Sequence, residues 1–238
     1  MRTKRRLIVL FLAFLAFVPA CGGGSNEAKT TTTTRDLEAD KAWADRINLT
    51  AADVGPGWNV DTTASSPSES QAFDSAVESV LAAKGLSLSE DTVDADSPDF
   101  AKGDFTSAAS SVTIYADEGT AKRDFDVTGS DDFLAAINEA TNTSMKDEFA
   151  KDPTLTGVTF SPVEFVKVSY DVPGLDAFGL DAKTTVRAQG VSLTLFFNMV
   201  AMRQGRAAVA VFVTDSPRQF PAAELRSLTE KVSQRMAV

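Results

Sequence analysis

Hydrophobic and polar positions divide the 238-residue chain into three parts. Residues 7–17 form an uninterrupted apolar run, whereas residues 22–36 contain no large apolar side chain. Apolar residues then recur along the rest of the chain with the periods of helices and strands. Because Gly, Ser and Thr bury too little surface to offset the entropy of ordering, we expect a leader over 1–20, a flexible Gly/Thr-rich tether over 21–40 and a single α+β domain over 41–238.

Three stretches of the domain have the helical period, in which apolar residues recur every three or four positions. Residues 66–85 predict one helix, 118–152 predict two consecutive helices, and 220–236 predict a last one. Ser66 and Ser130 are suitable N-caps for the first and third of these helices. The apolar stripes consist of Phe73, Val77, Val80 and Leu81, then Phe133, Leu134, Ile137, Met145 and Phe149, and finally Leu225, Leu228, Val232 and Met236.

A compact signature stands near the start of the domain. Thr50 and Asp53 have the spacing of an N-cap and its acidic partner, which predicts a short helix. The Gly-Pro-Gly sequence at 55–57 then predicts a turn. We expect Trp58 to enter the core after that turn, and a surface tryptophan that binds a ligand is the alternative.

The remaining apolar segments have the character of strands. Residues 105–117 predict one strand, with Val112 and Ile114 on the same face. Gly190 and Gly205 mark two hairpin turns in the last third of the chain. Four β-rich segments lie around these turns, at 155–172, 181–190, 191–202 and 205–215. Since successive hairpins pair antiparallel, we predict an α+β fold: a twisted antiparallel sheet of about five to seven strands with helices packed against it.

The segment 191–200 indicates how that sheet is covered. One of its faces is apolar throughout, and the other is half apolar, which predicts that helices also cover part of the second face. The apolar face carries Val191, Leu193, Leu195, Phe197 and Met199, and the mixed face carries Ser192, Thr194, Phe196, Asn198 and Val200.

An acidic segment at 90–104 interrupts the pattern. It contains six carboxylates: Glu90, Asp91, Asp94, Asp96, Asp99 and Asp104. Calcium binds clustered carboxylates, but their spacing does not match an EF-hand loop. We therefore expect a solvated loop here, with a calcium site as the alternative.

The chain lacks the residues of most catalytic sites. It has no histidine, which removes the commonest general base and metal ligand. No nucleophile elbow, Walker A loop or dinucleotide-binding glycine motif is present in the sequence. We therefore predict a protein that is not an enzyme and has no catalytic residue, cofactor or metal. A hydrolase that uses two distant carboxylates is the least favoured alternative.

The beginning of the chain combines a basic start with a short apolar run and the only cysteine, Cys21. This is the pattern of a secretory signal peptide, with the expected cut between Ala20 and Cys21. A lone cysteine has three interpretations: a buried thiol, an intermolecular disulfide or an acylated first residue. The stretch at 18–22 resembles a bacterial lipobox, and this resemblance implies a lipoprotein whose Cys21 carries N-acyl and S-diacylglycerol groups, placed on the outer face of the cell membrane.

Charge narrows the range of partners. The leader holds four of the 23 basic residues and none of the 33 acidic ones, so the rest of the chain has a formal charge of −14. Nucleic-acid binding depends on basic residues that neutralise phosphates, and we exclude it. We expect contact with the membrane through the lipid on Cys21 alone.

Three segments together resemble a known family. They are LTAADVGPGW at 49–58, SSVTIYADEGTAKRDFDVTGSDDFLAAINEA at 110–140, and FFNMVAMRQGRAAVAVFVTDSPRQFPAAELRSLTEKVSQRM at 196–236. Their order resembles that of actinobacterial secreted lipoproteins related to the extracellular sensor domain of PknH-type receptor kinases. The resemblance implies an α+β domain that senses a ligand or partner, without catalytic residues to carry over. Those sensor domains are disulfide-bonded, as the family implies, whereas this chain has no second cysteine.

These observations predict a membrane-anchored, extracytoplasmic binding module, similar to a sensor domain, whose partner is an unidentified small molecule, lipid or envelope protein. We expect a groove between sheet and helices, and five phenylalanines are its candidate lining or plain core residues: Phe160, Phe165, Phe196, Phe197 and Phe212. The alternative is a lipid carrier of the cell envelope, which needs an internal apolar cavity of several hundred Å³.

Overall fold

The computed structural model describes residues 35–61, 79–151, 155–188 and 190–237. The leader, Cys21, most of the predicted tether and most of the predicted helix at 66–85 lie outside the described residues. The helices are α1 Leu37–Ile47, α2 Ala51–Val54, α3 Glu118–Thr128, α4 Asp131–Lys151 and α5 Ala222–Met236, and residues 79–83 are also helical. The strands are β1 Asn59–Val60, β2 Thr92–Asp96, β3 Phe100–Lys102, β4 Thr106–Tyr115, β5 Thr159–Phe160, β6 Val166–Val168, β7 Asp176–Ala188, β8 Val191–Gln204 and β9 Ala207–Asp215.

The nine strands of the described residues belong to one antiparallel sheet, which confirms the predicted α+β class. The long strands lie in the order β4-β9-β8-β7, so the two predicted hairpins join β7 to β8 and β8 to β9. Gly190 and Gly205 have φ values of +77° and +55° at these turns, a conformation that favours glycine. On its outer side β4 pairs with β2 and β3, and β7 pairs with β5 and β6, while β1 extends the sheet beyond β3.

The acidic segment is the main correction to the sequence analysis. It forms β2 and β3 rather than a loop, and all five residues of β2 are in register with residues 111–115 of β4. Val93 and Ala95 alternate with the carboxylates and face a hydrophobic cluster. Pairing with β4 along its full length satisfies the backbone groups on that side of β2, although two of its five side chains are acidic. β2 and β3 are therefore two strands beside β4 that the sequence analysis did not predict.

The domain also begins earlier than predicted. The Asp36 side chain accepts a hydrogen bond from the Ala39 backbone N–H at 3.0 Å and caps α1, which begins at Leu37. Residues 37–40, assigned to the tether from their sequence, are therefore helical. Farther on, the Asp53 carboxylate accepts hydrogen bonds from the backbone N–H and the hydroxyl of Thr50, both at 2.8 Å, as the capping signature predicts.

Helices α1 and α5 cover one face of the sheet, which we call the α1/α5 face. Its core contains valines from three neighbouring strands, such as Val112, Val200 and Val211, together with Met202. The predicted stripe of α5 is buried here in full, with Leu225, Leu228, Val232 and Met236 all within the cluster. Trp58 is only partly buried at the edge of this core, with its ring centroid 6.3 Å from that of Phe220.

Helices α3 and α4 cover the opposite face, which we call the α3/α4 face. The Ser130 hydroxyl caps α4 by accepting a hydrogen bond from the Phe133 N–H at 3.2 Å. Leu195 and Phe197 of β8 are buried against α4, whereas Val200 and Met202 of the same strand face α1 and α5. The prediction that helices cover both faces of this strand is thereby confirmed.

Candidate ligand cavity

A cavity of about 120 Å³ lies on the α3/α4 face of the sheet. Strands β4, β8 and β9 form its floor, helices α3 and α4 and strand β7 contribute its walls, and the segment that leads into β2 covers one side. The lining residues are Leu88, Ser89, Thr92, Ser111, Thr113, Tyr115, Phe125, Thr128, Phe133, Ile137, Phe178, Met199, Ala201, Ala208, Val209 and Ala210.

Small side chains in one row across the sheet create this space. Ser111 of β4 is in register with Ala210 of β9, which is in register with Ala201 of β8. Phe178 of β7 ends the row beside Ala201. Since three neighbouring positions carry side chains no larger than serine, the helices above cannot close fully onto the floor.

The side of the cavity toward β7 and β8 is apolar. The rings of Phe125 and Phe178 lie in a tilted arrangement with their centroids 5.1 Å apart. Phe133 and Ile137 of α4 and Met199 of β8 complete this wall. Aromatic side chains and a methionine sulfur make favourable contacts with the face or edge of a bound aromatic ring.

The side toward β4 and β2 carries hydroxyl groups. Ser111, Thr113 and Tyr115 alternate along β4 and all line the cavity, as does Thr92 of β2. Ser111 is only 6% exposed, and its Oγ has no hydrogen-bond partner within the part of the chain that the structure describes. A buried hydroxyl without a partner costs free energy, so this group is available to a ligand.

Two acidic side chains, Asp94 and Asp124, lie close to this polar side. Asp94 of β2 is in register with Thr113, and its Oδ2 accepts a hydrogen bond from the Thr92 hydroxyl at 2.8 Å. Burial raises the pKa of Asp94, while hydrogen bonds from Thr113 and Thr92 oppose the increase. Burial and the nearby carboxylates of Asp124 and Asp94 also raise the pKa of the Tyr115 hydroxyl, which therefore stays protonated.

The covering segment is attached to α3 through a fully buried carboxylate. Asp124 is 0% exposed, and its Oδ2 accepts a hydrogen bond from the Ser89 backbone N–H at 2.7 Å. Its other oxygen, Oδ1, accepts hydrogen bonds from the Arg123 guanidinium at 2.7 and 2.9 Å. This arrangement holds the chain over the cavity next to Leu88.

An ionic network joins the start of the described chain to the same end of the sheet. Asp40 is 5% exposed and accepts hydrogen bonds from Arg35 at 2.7 Å and from Arg206 at 2.7 and 3.1 Å. The hydrogen bonds from Arg206 and Arg35 lower the pKa of Asp40 although burial opposes them. Arg35 also donates to the carbonyls of Ile114 and Asp91, at 2.6 and 3.1 Å. Their chain neighbours, Tyr115 and Thr92, line the cavity.

None of the five phenylalanines singled out from the sequence lines this cavity. Phe197 and Phe212 are buried in the core of the α3/α4 face, Phe196 is partly buried, and Phe160 packs on Phe149 with centroids 4.8 Å apart. Phe165 is partly buried against the same core. The lining rings instead belong to Phe125, Phe133 and Phe178.

The sequence did contain one signal of the polar wall. Ser111, Thr113 and Tyr115 alternate with Val112 and Ile114 in a strand that we predicted, so their common face was accessible to the analysis. Which helix covers that face depends on contacts between distant segments. Cys21, the one predicted modification site, lies outside the described residues.

Among the described residues that line the cavity, none is a carboxylate. Within the described ranges, no three or more acidic or cysteine side chains are grouped so that they could hold a metal ion. Among the helices of those same residues, none is long and apolar enough to cross a membrane.

Comparisons with known protein families, with curated proteins and with solved structures gave no match. The resemblance to sensor-type lipoproteins therefore stays a prediction from the sequence.

Proposed function

We propose that this protein is a lipid-anchored, extracytoplasmic lipoprotein whose domain binds a small ligand and catalyses no reaction. The cavity on the α3/α4 face carries the proposal. It combines an apolar wall with a buried hydroxyl at Ser111 that has no hydrogen-bond partner among the described residues, and none of its described lining residues is a carboxylate. A concave, mostly apolar site with a few polar groups is the usual form of a small-molecule site.

The anchor half of the proposal rests on the leader and on Cys21. The 14 residues from Cys21 to Thr34 would connect the lipid to Arg35, where the ionic network begins. A Gly- and Thr-rich chain of this length has a root-mean-square reach of about 20 Å. Because Arg35 lies next to the polar side of the cavity, the cavity would stay close to the membrane surface.

The two other candidate functions fit this cavity less well. A carrier of diacyl lipids needs several hundred Å³, several times the volume of about 120 Å³ found here. A carboxylate-dependent hydrolase needs two acids that face the substrate, and none of the described residues that line the cavity is a carboxylate. The ligand-binding function is therefore favoured over both.

The anchor is tested by labelling with a radioactive or clickable fatty acid in a bacterium that processes lipoproteins. We expect label on the wild type and on the control Ser25→Ala, and none on Cys21→Ser, which should leave the membrane fraction. Label on Cys21→Ser, or no label on the wild type, would contradict this half of the proposal.

The binding half is tested with toluene, a small apolar probe, in detergent-free buffer by ligand-observed NMR. Wild type should bind toluene, and Ala210→Leu, which fills the floor of the cavity, should not. The control Ala223→Leu places the same side chain on an exposed position of α5 and should bind like wild type. Equal binding by all three proteins would place the probe elsewhere, and absence of binding to wild type would refute the site.

A further inference from the structure

We propose that the cavity selects a neutral molecule with a single aromatic ring that carries one hydrogen-bond donor, such as the hydroxyl of a phenol or the N–H of a small heterocycle. This inference rests on the proposed binding function and specifies its ligand class. It combines the volume, the apolar wall and the hydroxyl groups of the cavity.

The volume of the cavity matches about one ring. An engineered apolar cavity of about 150 Å³ holds benzene, and the cavity here measures about 120 Å³. A ring with one small substituent on the polar side therefore fills the space, whereas a pair of acyl chains or a peptide segment exceeds it.

The apolar wall favours an aromatic ring over an aliphatic chain. Phe125 and Phe178 lie on one side with Phe133 close by, and Met199 lies on the floor. Offset and edge-to-face contacts between rings stabilise a bound ring beyond its buried area. A methionine sulfur near the edge of a ring adds a further favourable contact.

The hydroxyl groups set the polar requirement. Ser111 Oγ is buried, has no hydrogen-bond partner within the described ranges and can either donate or accept. The Thr92 hydroxyl donates a hydrogen bond to Asp94 Oδ2 at 2.8 Å, so only its lone pairs are left for the cavity. Thr128 likewise donates to the Phe125 carbonyl at 2.9 Å. Because these groups can accept at the same time, a ligand that donates a hydrogen bond is matched best.

The surrounding charges disfavour an anion. Asp94 borders the polar side through its register with Thr113, and Asp124 lies buried under the covering segment. Asp124 is paired with Arg123, but Oδ1 of Asp94 has no hydrogen-bond partner among the described residues. A carboxylate ligand would lie close to Asp94 with no facing cation among the described lining residues, and a full positive charge would lose its hydration against the apolar wall.

The experiment compares three probes of similar size: phenol, toluene and benzoate. Their affinities are measured by NMR titration of the full chain carrying Cys21→Ser in detergent-free buffer. Wild-type Ser111 should bind phenol and toluene but not benzoate. In Ser111→Ala, phenol should weaken about five-fold, the worth of one hydrogen bond, while toluene binds equally well or better. The control Ser110→Ala alters the preceding residue, whose side chain lies on the opposite face of the sheet, toward α1. It should leave the ratio of phenol to toluene affinity unchanged.

The outcomes separate the two proposals. If neither toluene nor phenol binds, the proposed function fails and this inference fails with it. If toluene binds and Ser111→Ala does not weaken phenol, or benzoate binds as tightly as phenol, only the ligand class is overturned. Should Ser111→Ala not fold, Ser111→Cys takes its place, since a thiol is a weak hydrogen-bonding group. A smaller loss of phenol affinity is then expected, and no loss would contradict the inference.

Discussion

The two faces of the central sheet differ although the same strands supply both. On the α1/α5 face, Val112, Val200, Val211 and Met202 are at most 1% exposed and fill the space beneath the helices. On the α3/α4 face, the row of Ser111, Ala210 and Ala201 leaves a cavity. Since neighbouring residues of a strand point to opposite faces, one strand can stabilise the fold on one side and form a binding site on the other.

Two consecutive serines illustrate the contrast. Ser110 Oγ accepts a hydrogen bond from the Leu49 N–H at 2.8 Å and donates to Asn48 Oδ1 at 2.7 Å. Ser111 is buried almost as deeply, and its Oγ has no partner in the described part of the chain. A hydroxyl with hydrogen-bond partners contributes to the stability of the fold. A buried hydroxyl without partners lowers that stability but is free to bind a ligand.

The largest effect should come from the two methionines of β8. Met202 is fully buried on the α1/α5 face, and Met199 is partly buried beside the cavity. We expect Met202→Ala to lower the free energy of unfolding by about 4 kcal/mol and Met199→Ala by about 1–2 kcal/mol, because the second site is already incompletely filled. Urea unfolding measures both values. Equal losses would contradict the difference in packing between the faces.

The ionic network should be the next largest contribution. Asp40→Asn leaves Arg35 and Arg206 without their shared carboxylate. We expect the free energy of unfolding at neutral pH to fall by about 2–3 kcal/mol. This is less than the full cost of breaking a buried pair because Arg206 is partly exposed.

The network also predicts a pH dependence. The pKa of Asp40 is lower in the folded protein than its usual value of 3.8, so the folded state binds fewer protons than the unfolded state. The contribution of Asp40 is therefore complete above that usual value and is lost as the pH falls through the folded pKa. The free energy of unfolding of Asp40→Asn should therefore fall less than that of the wild type as the pH is lowered. Unfolding curves of both proteins between about pH 2 and 5 measure this difference. Parallel pH profiles would show that Asp40 titrates alike in both states.

The serine pair should give effects of opposite sign. Ser110→Ala leaves two buried groups without partners and should cost about 2 kcal/mol. Ser111→Ala removes an unsatisfied hydroxyl and should stabilise the protein by about 1 kcal/mol. Thermal unfolding of both variants checks the signs. A destabilised Ser111→Ala would show that Ser111 has a partner in the folded protein.

The smallest expected effect concerns two alanines of β9. Ala207 is 0% exposed on the α1/α5 face, and Ala208 lines the cavity. Ala207→Val should overpack its site and cost about 1–2 kcal/mol, whereas Ala208→Val should change stability by less than about 0.5 kcal/mol because its added methyl groups enter free space. Matched chemical denaturation of the two variants is the measurement.

Local patterns predicted most of the regular elements of the fold. The stripe of α5, the Ser130 cap and the hairpin glycines each depend on residues close together in sequence, and the structure contains all of them. β2 was missed because its carboxylates masked a two-residue apolar alternation, and its pairing with β4 forms only once both segments are in the sheet.

The start of the domain was placed too late for a related reason. In the sequence, Asp36 and Asp40 continue the polar segment of the predicted tether. In the structure, Asp36 caps α1, and Asp40 binds Arg206, which lies in the hairpin turn between β8 and β9. An aspartate in the sequence looks the same whether its carboxylate is solvated or buried. Only the residues that it contacts in the folded protein distinguish the two cases.

The order of residues alone determined α3, α4 and α5, the two hairpins and the antiparallel class, because capping, turn geometry and periodicity act over a few residues. It also carries the leader and Cys21, on which the proposed anchor rests. The tertiary structure decided which helix lies over which face, and therefore where small residues of three strands meet under aromatic rings. A cavity is the space left between elements, so it depends on how closely distant segments approach one another, which no local pattern specifies.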